Sequence, residues 1–232
     1  MTSTTKKSSF WRGFRAGLPF ILVVVPFATL FGVVATEAGL PLSQVMGFSI
    51  LVIAGASQFT ALQLMSENAP TFIVIASALA VNLRMAMYSA SLTPYLGGEP
   101  VWKRALIAYF LVDQSYAISI QEFEEKSGMS LGEKTAYFFG AMAPICPLWY
   151  LFTWIGAIAG SLIPPENGLD FALPITFLAM VAPGLRSIAH ISAAFTSVVL
   201  ALALASLPLN MGLLLAALLA MIVGAEVERR TA

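Results

Sequence analysis

Apolar stretches of membrane-spanning length follow one another along nearly the whole chain, at Gly17–Thr36, Leu42–Met65, Thr71–Leu96, Ala105–Ile120, Thr135–Ile163, Leu169–Leu185, Ile188–Leu207 and Met211–Ala225. A helix of about 20 mostly apolar residues crosses the ~30 Å hydrocarbon layer. Inside lipid every backbone polar group must be satisfied within the protein, which a helix does by itself. The expected fold is therefore all-α: a polytopic integral membrane helix bundle of about seven or eight transmembrane segments. It forms a single transmembrane domain over residues 17–225, between a cytoplasmic tail at 1–16 and a C-terminal tail at 226–232. Hydrophobic residues make up 59% of the chain and charged residues 10%, against about 25% charged in a soluble domain.

The breaks between runs are short and turn-like, as at Gly39-Leu40-Pro41, Glu67–Pro70, Gly97–Pro100 and Pro164–Gly168. One is longer, Gln121–Lys134, where Glu122, Glu124, Glu125, Lys126, Glu133 and Lys134 read as a solvated connector or surface helix. The basic start, Lys6, Lys7, Arg12 and Arg15, is followed by no cleavage site and polar mature chain, so the first helix is expected to be retained with the N-terminus cytoplasmic. Counting eight spans places Lys103 and Arg104 on the wrong side for positive charge, a conflict eased if an early segment is re-entrant.

Several runs carry internal prolines: Pro19 and Pro26, Pro144 and Pro147, Pro174 and Pro183. Each frees a backbone carbonyl, so several helices are expected to be proline-broken. The first and sixth runs are loosely alike in this, as an inverted repeat around a central site would be.

The residue that asks most of its surroundings is Arg84, in the middle of a membrane run, because an unpaired arginine there costs from a few to more than ten kcal/mol. Asp113 is the carboxylate that lies within a run, and helical register sets Tyr116 and Ala117 on its face, with Gln121 within two turns. Arg84 and Asp113 could line a polar cavity for a charged or zwitterionic substrate, with Asp113 in ion coupling, or they could simply pin two helices together. A second polar cluster, GASQFTALQLM, sets Ser57, Gln58, Thr60 and Gln63 in an oily run. It serves either as interhelix glue or as a small-residue patch that lets backbone approach a ligand. The spacings Gly13 to Gly17 and Gly156 to Gly160 are helix-packing signals. His190 reads as an interfacial residue and the lone Cys146 as packing.

Lys+Arg and Asp+Glu balance at 12 each with no basic stripe, so nucleic acid is not an expected partner. There is no HExxH, G-x-S-x-G or P-loop motif and no Cys/His cluster at metal-ligand spacing, so no catalysis, cofactor, metal or direct ATP coupling is expected.

The succession GLPF, FGVVATEAGL, AGASQF, NLRMAMYSASL and VDQSYA resembles the AzlC family, the large subunits of bacterial branched-chain amino acid exporters, over about Gly17 to Gly160. The resemblance implies a secondary exporter in the bacterial cytoplasmic (inner) membrane, acting on valine, leucine and isoleucine, with methionine a further candidate. It also implies a small hydrophobic AzlD-type membrane subunit as partner. Substrate-binding candidates are Ser57, Gln58, Phe59, Asn82, Arg84 and Tyr116, with Asp113 for ion coupling. The family commonly shows His where this chain has Met85 and Glu where it has Gln114, which takes two titratable groups away and leaves Asp113 as the main coupling candidate. Two other readings stay open: an uncoupled channel for a small solute, and a scaffold subunit that moves nothing alone.

Overall fold

The computed structural model describes residues 5–162, 185, 187–205, 207 and 211–231. Pro174, Pro183, most of the sixth apolar run and the inverted-repeat pairing built on it lie outside the described residues. The chain forms two compact units, one of residues 1–58 with 79–165 and the other of residues 59–78 with 166–232. All secondary structure among the described residues is helical.

In the first unit the chain is already helical at Lys6, where Thr5 caps the helix by accepting from the Ser8 N–H. This helix, α1 (Lys6–Gly17), runs through a 3₁₀ turn at Leu18–Phe20, which holds Pro19, into α2 (Ile21–Glu37). The basic segment expected as a tail is thus the first turns of a helix 32 residues long. Gly39, with φ of 88°, takes the left-handed conformation that ends α2 and turns the chain into α3 (Leu42–Leu51). The chain then passes through α4 (Gly55–Ser66) and α5 (Thr71–Leu96), whose residues 59–78 belong to the second unit, and returns to the first with the rest of α5, α6 (Val101–Tyr109), α7 (Asp113–Glu125) and α8 (Leu131–Ser161). Ser130 and Glu133 cap α8 reciprocally, the Ser130 N–H donating to the Glu133 carboxylate at 2.8 Å and the Glu133 N–H to the Ser130 hydroxyl at 3.4 Å.

The core of this unit is α1–α2 laid parallel along α8. A side chain at Gly13 would strike the Tyr137 carbonyl, one at Gly32 or Gly156 the backbone of Thr153 or Thr29, and one at Gly160 would come within 2.8 Å of the Val33 carbonyl. Contacts advance along both helices in the same sense, so Lys6 and Leu131 share one end of the unit and Glu37 and Ser161 the other. Lipid offers little hydrophobic drive for helix association, and small residues that let backbones touch supply it instead.

Lys6–Glu37, Thr71–Leu96 and Leu131–Ser161 are the helices among the described residues long and apolar enough to cross a membrane. Along α5 the side chains of Phe72, Ile75, Leu79, Leu83 and Met87 form an exposed stripe at helical spacing, as a lipid-facing surface does. Among the described residues no proline breaks a helix: Pro19 lies in the 3₁₀ turn inside the continuous 32-residue helix. Pro26, Pro94, Pro144 and Pro147 all lie inside helices that continue past them.

In the second unit, α9 (Ile188–Ala203) starts at Ser187, whose hydroxyl accepts from the His190 N–H, and packs against α10 (Met211–Thr231), where Gly224 faces Ala193. Glu226 pairs with Arg229 and Arg230 at 2.9 and 2.7 Å.

Candidate functional site

Two apolar runs expected as single spans are each interrupted in the middle, and neither interruption contains proline. The first leaves α3 at Leu51 and resumes at Gly55, with Val52 extended at φ −137° and ψ 94°. There the chain doubles back: the Gln58 side-chain amide at the start of α4 donates to Ser49 Oγ near the end of α3, and Ser49 Oγ also bonds Thr153 of α8 at 3.1 Å. Ser57 closes the turn by donating to the Ala54 carbonyl at 2.9 Å.

The second interruption, Phe110–Val112, separates α6 from α7. Ser115 holds it together, its hydroxyl accepting from the Val112 N–H at 2.9 Å and standing 3.0 Å from the Val112 carbonyl. Both outer ends of this pair lie at the Lys6 end of the first unit. Before α6, Glu99 accepts from Thr135 in the second turn of α8 and from Lys103 at 2.8 Å. At the far end of α7, Glu122 pairs with Arg12 of α1 at 2.9 Å and with Lys126 at 2.8 Å. Nine residues of α6 reach only about 14 Å, so α6–α7 is a hairpin that enters and leaves the unit at the same end. The tips meet where Tyr109, ending α6, donates to the Ile50 carbonyl at 2.5 Å and contacts the Tyr150 hydroxyl of α8 at 2.7 Å.

Asp113 is the first residue of α7, on the inner side of the second tip. Its carboxylate is 3.1 Å from Arg84 of α5, which lies about 20 Å from either end of its helix. An anion at a helix N-terminus is favoured by the exposed N–H groups and the helix dipole. The pair is not sealed: the side chains are 33% and 43% exposed, while Arg84 Nε and Asp113 Oδ1 are buried without a hydrogen-bond partner. Beside it Tyr116 stacks on Tyr88 with ring centroids 4.1 Å apart, and its hydroxyl bonds Ser91 at 3.1 Å. The result is a cation, an anion and an aromatic wall at mid-depth, beside a helix start.

The family model for AzlC protein matches residues 19–163. The chain belongs to the AzlC family. It is similar to an uncharacterized membrane protein of Archaeoglobus fulgidus, 29% identical over 226 residues that cover 94% of this chain and 95% of the relative. It is also similar to the inner membrane protein YgaZ of Escherichia coli K12, 26% identical over 180 residues, or 75% of this chain and 72% of YgaZ. An uncharacterized membrane protein of Helicobacter pylori J99 is 22% identical over 176 residues, covering 74% and 75%. No solved structure matches.

Within this AzlC-family chain, Arg84, Asp113 and Tyr116 come together around the second tip. Ser57 and Gln58 belong to the first, where Gln58 is 1% exposed and keeps its Oε1 unpartnered. Asn82 lies two residues from Arg84 and so on a different face of α5, with its Oδ1 buried and unpartnered. Phe59 is buried within the other compact unit. Sequence reasoning misses Tyr88, Tyr109, Tyr150, Ser49 and Thr153. Tyr88 carried a signal, standing one turn after Arg84; the hydroxyls of Ser49 and Thr153 carried none. No group of three or more His, Cys, Asp or Glu side chains that could hold a metal occurs among the described residues.

Proposed function

We propose that this AzlC-family membrane protein is a secondary active transporter that exports branched-chain and other small neutral amino acids across the cytoplasmic membrane. The observation that carries this reading is the incompletely satisfied Arg84–Asp113 pair at the start of α7, in the middle of the first unit. A zwitterion offers a carboxylate for Arg84 and for the α7 N-terminus, and an ammonium for Asp113. The Tyr88–Tyr116 stack serves as the wall for an apolar side chain. Interrupted helices are how transporters bring helix ends to a substrate at mid-membrane. One methylene against such a wall is worth about 1 to 3 kcal/mol, so valine, leucine, isoleucine and methionine would all be carried.

In this reading the end bearing Lys6, Lys103, Arg104, Lys126 and Lys134 is cytoplasmic, as the positive-inside rule asks. The seven or eight apolar runs are then spans and half-spans together. Asp113 is the ion-coupling group, and a small hydrophobic AzlD-type subunit completes the exporter in the membrane. The test is efflux of labelled valine from preloaded cells, with and without the small subunit and with a protonophore. Efflux that requires this chain and collapses with the protonophore supports a coupled exporter. Efflux that persists down a gradient makes it a facilitator, and no difference from empty cells removes the amino acid reading.

A further inference from the structure

A cavity of about 300 Å³ opens at the charged end of the first unit. One side is apolar, formed by Ala16, Phe20 and Ile118; the other carries Gln121, Glu122 and Glu125 of α7. Glu122 is the better anchored of the two carboxylates, 12% exposed and held by Arg12 and Lys126. Glu125 is exposed and takes a single bond, from the Gln121 side-chain amide at 3.1 Å. Glu122 already has two cations on it, so Glu125 is the carboxylate the lining leaves for a ligand, opposite an oily wall.

We propose that this cavity is an entry subsite for the ammonium group of an apolar amine or amino acid. The ammonium meets Glu125, beside the Arg12–Glu122–Lys126 cluster, and the hydrocarbon part lies against Phe20 and Ile118. The assignment deepens the exporter reading, on which the role of the subsite as a waiting position depends. A second relationship connects the two sites. Ala117, also in the lining, is one turn from Asp113, and Gln121 is one turn further out. The same side of α7 thus runs from Gln121, past Ala117, to the mid-depth carboxylate over about 12 Å. α7 carries acidic groups at both ends of that path, Asp113 inside and Glu122 with Glu125 outside, with neutral residues between them. A cationic group is drawn in by Glu125 and passed to Asp113 along a stretch of α7 that carries no cation.

The test uses the full-length chain with a single cysteine at Ala117 or Gln121, in a Cys146→Ala background, in sealed membrane vesicles of each orientation. A membrane-impermeant charged methanethiosulfonate is the label, and isobutylammonium and valine are the probes. Both cysteines are expected to react only from the side that exposes Lys103. Isobutylammonium at ten times its dissociation constant should slow labelling about tenfold by mass action. Protection should disappear in the Glu122→Gln/Glu125→Gln double variant. Two positions guard against a variant that fails to insert. Absence of labelling at both in inserted protein, or labelling that neither probe slows, overturns the proposal. Protection by isobutylammonium in a protein that exports no valine upholds the subsite and overturns the exporter reading; valine export without protection does the reverse.

Discussion

The hydroxyl of Tyr109 donates to the backbone carbonyl of Ile50, 59 residues away in sequence, at 2.5 Å, joining the two chain interruptions. Ile50 sits in the last turn of α3, where carbonyls lose their helical partners. Tyr109 stands at the corresponding place in α6. The contact holds the two tips in register at the depth of Tyr150, so any motion that separates them must break it.

Replacing Tyr109 by Phe removes that bond and leaves the ring. Polar contacts between membrane helices average about 0.6 kcal/mol and reach about 1.7, so the variant should insert normally while its transport rate changes by roughly three- to twentyfold. Comparing initial efflux rates at matched membrane abundance checks this. An unchanged rate would mean that the tips do not move against each other during transport.

Arg84→Ala and Asp113→Ala should each abolish transport, because each strands its partner's charge at mid-depth. The double variant should recover insertion and thermal stability relative to either single one while staying inactive. Normal transport by Arg84→Ala would remove the pair from the substrate site. Asp113→Asn tests coupling separately: an unchanged pH profile of efflux would take Asp113 out of that role.

The glycine contacts make a stability prediction. Gly156→Ala drives a methyl into the Thr29 backbone and should cost about 1–3 kcal/mol, the usual penalty of overpacking. Gly47→Ala, with nothing within 4 Å of the added carbon, should be silent. Thermal unfolding of detergent-purified protein, followed by size-exclusion chromatography, distinguishes the two.

Glu99 supplies the pH dependence. Its hydrogen bond from Lys103, and next that from Thr135, hold its carboxyl below the ordinary 4.5, against the opposing effect of burial. A carboxyl lowered on folding contributes stability above its unfolded value and loses it as pH falls through the folded one. Wild-type thermal stability should therefore drop as pH is lowered below about 4.5, and Glu99→Gln should flatten that drop. Equal acid sensitivity in the two proteins would show that Glu99 does not anchor the start of α6.

The Arg84–Asp113 pairing was legible because charge in lipid is expensive: Arg84 had to have a partner, and Asp113 was the carboxylate lying within a run. The parallel packing of α1–α2 on α8 was legible in part from the Gly13–Gly17 and Gly156–Gly160 spacings. The interruptions were not. Val52-Ile53-Ala54 and Phe110-Leu111-Val112 are as apolar as their flanks, and hydropathy does not distinguish one crossing helix from two half-length helices joined at a tip. Prolines pointed elsewhere, because a helix loses only one hydrogen bond at each and close packing on both sides tolerates it. The misplaced positive charges at Lys103 and Arg104 carried the hint: a segment that returns to its own side reverses no charge, and Glu99, Lys103 and Thr135 are joined at the Lys6 end.

The α6–α7 hairpin also bears on how such a chain gets into a bilayer. In the orientation proposed above, with the Lys6 end cytoplasmic, this segment would dip in and come back, and Lys103, Arg104 and the whole charged stretch from Gln121 to Lys134 would stay on the side where synthesis leaves them. No cluster of cations in this part of the chain would then be threaded through the insertion machinery. What must be pushed inward is only the oily tip at Phe110–Val112 with the lone carboxylate behind it, and that carboxylate finds Arg84 already waiting on a helix that was made before it.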